Sequence, residues 1–112
     1  MKISLIIAGL LIAGAAQAAT LDVDRFVEAI RITEGVHSKH PYGVLSVKVS
    51  TIEDAKRVCT QTVTNNWKRW QKAGCPGLYI TFIANRYCPP SADPKGNINW
   101  KKNVTKFYGE SI

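Results

Sequence analysis

Phe26-Val27-Glu28-Ala29-Ile30-Arg31-Ile32-Thr33-Glu34-Gly35 decides the fold class, because its apolar residues recur at helical and not at strand spacing. Phe26, Ile30 and Glu34 succeed one another every four residues, with Val23 and Val27 on the same stripe, so the last carboxylate of the helix is expected to point toward the interior. Desolvation disfavours the charged form of a carboxyl group in such a place, and an acid that must hold a proton near neutral pH needs that condition. Tyr42-Gly43-Val44-Leu45 follows directly after Pro41.

Outward from this stretch, the first helix is expected from about Leu21 to Glu34, with Thr20 or Asp22 as N-cap. Tyr42 to Val49 alternates and is rich in β-branched residues, so it reads as an extended or short hairpin piece. Ser50-Thr51-Ile52-Glu53-Asp54 offers a capping box, Ser50 with Glu53 or Thr51 with Asp54. It opens the longest periodic stretch, in which Ala55, Cys59, Val63, Trp67 and Trp70 recur every three or four residues. Gly74 and Pro76 end that helix near Ala73. A third helix from Gly77 to Tyr87 carries Leu78, Phe82, Ile83 and Tyr87 until Pro89-Pro90 stops it. Ser91 to Asn97 has no periodicity and reads as a loop. Asn99 can then cap a last helix with Trp100, Val104, Phe107 and Tyr108 on one face, closed by Gly109. The expected fold is mainly α, with four helices and one short extended segment after the first, and without internal repeats or low-complexity tracts.

At the start of the chain, Met1-Lys2 supplies a positive charge, Ile3 to Ala16 is an almost unbroken apolar run, and Ala16-Gln17-Ala18 has the small-x-small form of a signal-peptidase site. Residues 1–18 are therefore expected to be a cleaved secretory signal, its small-x-small ending arguing against a retained anchor, and the product to be secreted or periplasmic. The apolar run is shorter than the roughly 20 residues of a bilayer span, so no membrane attachment is expected after cleavage. Removing 18 residues from 112 leaves 94, enough for one compact domain, expected to be a monomer. It also leaves 14 basic against 8 acidic residues, a net charge of +6 that favours an anionic partner at long range. Cell wall carrying free carboxylates and nucleic acid both fit that charge. Export favours the wall, and nucleic acid is not expected; a modest positive charge also serves solubility alone.

An oxidising compartment makes a disulfide an expectation, and three cysteines leave one unpaired. Most of a helix, about 20 Å at 1.5 Å per residue, separates Cys59 from Cys75, and about 15 Å separates Cys75 from Cys88, both beyond the roughly 7 Å Cα limit for a bridge. Cys59 and Cys88 remain. If the second and third helices form an antiparallel hairpin around Gly74-Cys75-Pro76-Gly77, these two lie nearly level, with Cys75 free in the turn. Cys-x-x-Cys and Cys-x-x-His spacings are absent.

The order of these pieces, a helix ending Thr33-Glu34-Gly35, then Tyr42-Gly43-Val44-Leu45, a long helix, and Phe82-Ile83-Ala84-Asn85-Arg86-Tyr87, resembles the lysozyme-like superfamily of lytic transglycosylases and phage-type muramidases over most of the mature chain. In that superfamily a single glutamate ends a core helix, a Gly-Leu-Met-Gln-type segment follows it in the substrate cleft, and an Ala-Tyr-Asn-type segment lies opposite. Glu34 falls on the first of these. Gly43-Val44-Leu45-Ser46 falls on the second, with Ser46 in place of glutamine, and Ala84-Asn85-Arg86-Tyr87 falls more loosely on the third; Gly35 replaces the usual serine. The resemblance implies a small lysozyme-like domain over residues 19–112 that cuts the MurNAc-GlcNAc bond of peptidoglycan glycan strands, with Glu34 as general acid. Tyr42 and Tyr87 would flank the sugars, and Asn85 or Ser46 would bond an N-acetyl group. A hydrolase usually needs a second carboxylate near the bond. Glu53 and Asp54 look like capping residues and Asp93 falls in the expected loop. That shortage favours the transglycosylase route, in which Glu34 serves first as acid and then as base while the muramic 6-hydroxyl attacks to give an anhydro-sugar, with no metal or cofactor.

Each of these residues has a plainer reading. Glu34 can be an ordinary helix-terminal residue turned to solvent. Trp67, Trp70 and Trp100 are in helical phase with Val63 and Val104, which suits core packing better than a sugar platform. His37 and His40 have an i, i+3 spacing that can bind metal, but two ligands without a third read better as a solvated loop. Lys68-Arg69 and Lys101-Lys102 are expected to face water or the anionic wall. The rival function is an exported wall-binding or inhibitory protein that keeps the helical scaffold without chemistry, and a nucleic-acid role stands third on charge alone.

Overall fold

A computed structural model describes residues 20–35, 40–43 and 51–112. Among them the chain is mainly α, with four helices and no strand: α1 (Val23–Glu34), α2 (Ile52–Lys72), α3 (Tyr79–Tyr87) and α4 (Pro94–Tyr108). A 3-10 turn, Pro41–Gly43, stands between the first two. The signal segment, His37, and the extended piece from Val44 onward, Ser46 included, lie outside the described residues. The beginning expected for that piece is corrected: Tyr42 and Gly43 belong to the turn, and Tyr42 has φ 60 and ψ 17.

Local chemistry sets the helix ends. Asp22 caps α1 by accepting from the Arg25 N–H at 3.1 Å, and Asp24 in the first turn and Arg31 in the last complement the helix dipole. Of the two capping possibilities for α2, Thr51 is the N-cap, its hydroxyl accepting from the Asp54 N–H at 3.0 Å. α3 begins at Tyr79, two residues later than expected, because Gly77 is left-handed and Leu78, at the N-cap, is extended.

The largest departure is at α4. The expected loop from Ser91 to Asn97 is half helix, and Asn99 is an interior residue and not the cap. Asp93 caps it through the Gly96 N–H at 2.9 Å, and Pro94 sits at the first helical position, where a missing N–H leaves no bond unmade.

α1 packs on α4 along one side and on α2 and the 3-10 turn along another, and α3 joins α2 to α4. The core takes Phe26, Val27, Ala29 and Ile30 from α1 and Ala55, Cys59, Val63 and Trp70 from α2. The stripe read from the sequence is thus the buried face of α1. Trp70 and Trp100 are buried and Trp67 is packed against the core, in keeping with their helical phase. Tyr79 is completely buried and still satisfied, its hydroxyl donating to the Val63 carbonyl at 2.7 Å. The chain end is tied in by the Ile80 N–H, which donates to the Ile112 carbonyl at 3.1 Å.

The expected Cys59–Cys88 bridge is not formed, and all three cysteines are free thiols. α2 and α3 do pack together, but the group that meets Cys59 is the Tyr87 hydroxyl, which donates to the Cys59 sulfur at 3.2 Å. Cys88 follows as the C-cap of α3, its backbone outside the helical region at φ −151 and ψ 78. Its sulfur lies beside Gly96 instead, where an added Cβ would stand 3.0 Å from it.

Candidate functional site

Glu34 is the last residue of α1 and is half-buried. Gly35 closes the helix at φ 94, its N–H donating to the carbonyls of Arg31 and Ile32. The Trp100 indole N–H, reaching across from the inner face of α4, donates to Glu34 Oε2 at 2.8 Å. Trp100 is in turn stacked on Tyr87, with ring centroids 5.1 Å apart and planes at 19°. The Tyr87 hydroxyl ends this series on the Cys59 sulfur.

Gly43 brings the backbone against the same group. A Cβ there would stand 2.9 Å from Glu34 Oε2 and 3.0 Å from Tyr87 Cε1, and φ is +68, so both space and conformation call for glycine. The helix end, the turn, α3 and α4 therefore converge on one carboxylate. Burial pushes the Cys59 thiol up to about 11, with the charge of Glu34 adding to the rise and the Tyr87 hydrogen bond opposing it. The Tyr87 phenol is also raised, by burial first and then by Cys59. At neutral pH both are therefore uncharged.

The other residues singled out in the sequence are placed differently. Tyr87 belongs to the cluster, half-buried. Tyr42 is only 5% exposed and packs in the core, so its ring supports the turn. Asn85 is exposed, with its Oδ1 3.5 Å from Asn97 Nδ2. Glu53 is exposed in the first turn of α2, and Asp54 is paired with Arg57 at 3.4 Å. Asp93 caps α4. Its charge and that of Glu34 both act on the Cys88 thiol, which is raised by its burial first. His40 is exposed, and among the described residues no three His, Cys, Asp or Glu side chains come together as a metal site requires.

Trp100 and Cys59 are the members of the cluster that the sequence reading assigned elsewhere. Helical phase correctly put Trp100 on a buried face, but phase does not say which polar atom an indole N–H will meet. No family model matches the chain, and neither a curated protein nor a solved structure is similar to it.

Proposed function

We propose that the protein is an exported peptidoglycan-cleaving enzyme of lysozyme-like, lytic transglycosylase type, with Glu34 as its single acid and base. One observation carries this reading: a half-buried carboxylate at the end of an apolar stripe, held on one oxygen by the Trp100 N–H and backed by Gly43 and Tyr87. The hydrogen bond fixes Oε2 and leaves the other oxygen for the sugar. Glu34 gives its proton to the glycosidic oxygen as the bond from the muramic anomeric carbon to that oxygen breaks. The carboxylate so formed takes the proton of the muramic 6-hydroxyl as that oxygen bonds to the anomeric carbon. The product is an anhydro-sugar, no water is consumed, and Glu34 ends protonated as it began.

The engagement of other carboxylates supports a one-carboxylate route. Asp93 is spent on the α4 cap and Asp54 on Arg57, and Glu53 stands exposed at the start of α2. The test is digestion of purified peptidoglycan by the mature protein and by Glu34→Gln, with fragments read by mass spectrometry. Anhydro-muropeptides from the wild type, and a loss of roughly 10²–10⁴-fold in the variant, are expected. Reducing-end products would instead make the enzyme a hydrolase, with Asp93 the first second carboxylate to replace. Release of nothing by either protein, with binding retained, would leave a non-catalytic wall-binding domain.

A further inference from the structure

The two faces of α4 differ in kind. Asn97, Trp100, Val104 and Tyr108 form its buried face. Lys95, Asn99, Lys102 and Lys106, all exposed, recur at four, three and four residues and make a stripe directly opposite, about 16 Å long at 1.5 Å per residue. The helix contains no acidic residue. The carboxylates at its two ends are engaged: Asp93 with the Gly96 N–H, and Glu110 with Arg25 at 2.7 Å. None of the three lysines has an ion pair among the described residues; Lys106 lies 5.5 Å over the ring of Phe107, its own neighbour.

A face kept only for solubility mixes its signs, as the first two turns of α2 do with Glu53, Asp54, Lys56 and Arg57. A one-sign stripe with i, i+4 repulsion between Lys102 and Lys106 works slightly against the helix that carries it. Such a stripe is stabilised by an anionic partner lying along it.

We infer that the outer face of α4 is an anchoring surface for peptidoglycan, held through the carboxylates of its peptide stems, separate from Glu34 and engaged at the same time. The choice of polymer rests on the function proposed above; the surface itself does not. Ammonium groups act as point charges, which suits carboxylates at variable spacing better than a bidentate site would. Asn99, in the middle of the stripe, adds an amide that can meet a sugar hydroxyl or N-acetyl group. A membrane surface fits less well, because the exposed Ile98 and Phe107 lie on opposite flanks of the lysines and form no single apolar strip.

The experiment is co-sedimentation with purified sacculi in the Glu34→Gln background, which prevents digestion, for the parent and for Lys95→Gln/Lys102→Gln/Lys106→Gln. A control removes the same charge from α2 through Lys56→Gln/Lys68→Gln/Lys72→Gln, and circular dichroism checks that each variant is folded. The α4 variant is expected to bind about tenfold more weakly at about 50 mM salt, with a log–log salt dependence shallower by about two. The α2 variant should bind like the parent. With Glu34 restored, the α4 variant should cleave short soluble glycan fragments at the wild-type rate.

Equal binding by the α4 variant and the parent would overturn the proposal. So would an equal loss in the α2 variant, which would reduce the effect to net charge, or tighter binding to anionic phospholipid vesicles than to sacculi. If the wild type cleaves nothing and the α4 variant still loses binding, the anchor stands and the enzymatic reading falls. Cleavage with unaltered binding gives the reverse.

Discussion

The two ends of α1 are built for different purposes. At its start, Phe26 is 1% exposed and lies 5.4 Å from the Tyr79 ring and 5.3 Å from the Tyr108 ring. The Tyr108 hydroxyl accepts from the Asp22 N–H at 3.1 Å, and Arg25 lies over the Tyr108 ring while pairing with Glu110. Every polar tip named there has a partner. At the other end Glu34 is half-buried with a neutral N–H on one oxygen, and the Thr33 hydroxyl is buried with no hydrogen-bond partner among the described residues. The first end is closed by aromatic packing and a paired charge, whereas the second leaves a carboxylate within reach of solvent.

The sharpest way to break this contrast is Phe26→Ala. Removing a fully buried aromatic side chain costs about 3–5 kcal/mol, a large share of what a domain of this size has. Urea unfolding should show the loss directly. Cleavage per folded molecule, measured in the cold where the variant remains native, should be unchanged. A fall in activity without a fall in stability would mean that the two ends are not separable.

How far the contrast was legible in the sequence varies with the interaction. The stripe Phe26, Ile30, Glu34 was readable because burial along a helix follows from spacing alone. The start of α4 was not: buried Asn97 breaks the apolar pattern there, since it is kept inside by its Nδ2 donating to the Cys88 carbonyl at 2.8 Å. The cysteine pairing failed as well. Equal distance from the turn assumes a symmetric hairpin, whereas Gly74, Cys75 and Gly77 are left-handed and α3 starts late, and it is the Tyr87 hydroxyl that meets Cys59. Gly43 was visible as a motif residue, but its approach to Glu34 depends on the fold bringing the turn against the helix end.

A second, smaller effect belongs to the Glu34 end and is read by pH. Cys59 is fully buried, and its thiol is raised from 9.0 to about 11. Between these values the unfolded chain has released the proton and the folded one has not. The folded state therefore binds more protons, and stability falls as pH rises through this window. The contribution, fully present below pH 9, is about 2–3 kcal/mol by the two-unit difference. Denaturant midpoints taken from pH 8 to 11 should fall along this limb, and Cys59→Ala should remove that part of the slope. A thiol titration adds a check: exposed Cys75 should react at once and Cys59 only on unfolding. Prompt reaction of Cys59 in the native protein would mean that this end is open to solvent.

The smallest effect, and the most discriminating, is Trp100→Phe. It keeps an aromatic ring against Tyr87 and deletes the N–H that holds Glu34 Oε2. Because Glu34 is half-buried, water can replace that donor, so the carboxylate is not stranded and the protein should stay folded. What is lost is its fixed position. An acid free to rotate spends less time aimed at the glycosidic oxygen, and a loss of about tenfold in kcat is expected, equivalent to about 1.4 kcal/mol on the barrier, with KM little changed. Trp100 acts through Glu34, so in a Glu34→Gln background the same substitution should cost nothing further in rate. A drop in KM-dependent binding with kcat preserved would place Trp100 against the sugar instead, and the contrast between the two ends of α1 would then rest on Gly43 and Tyr87 alone.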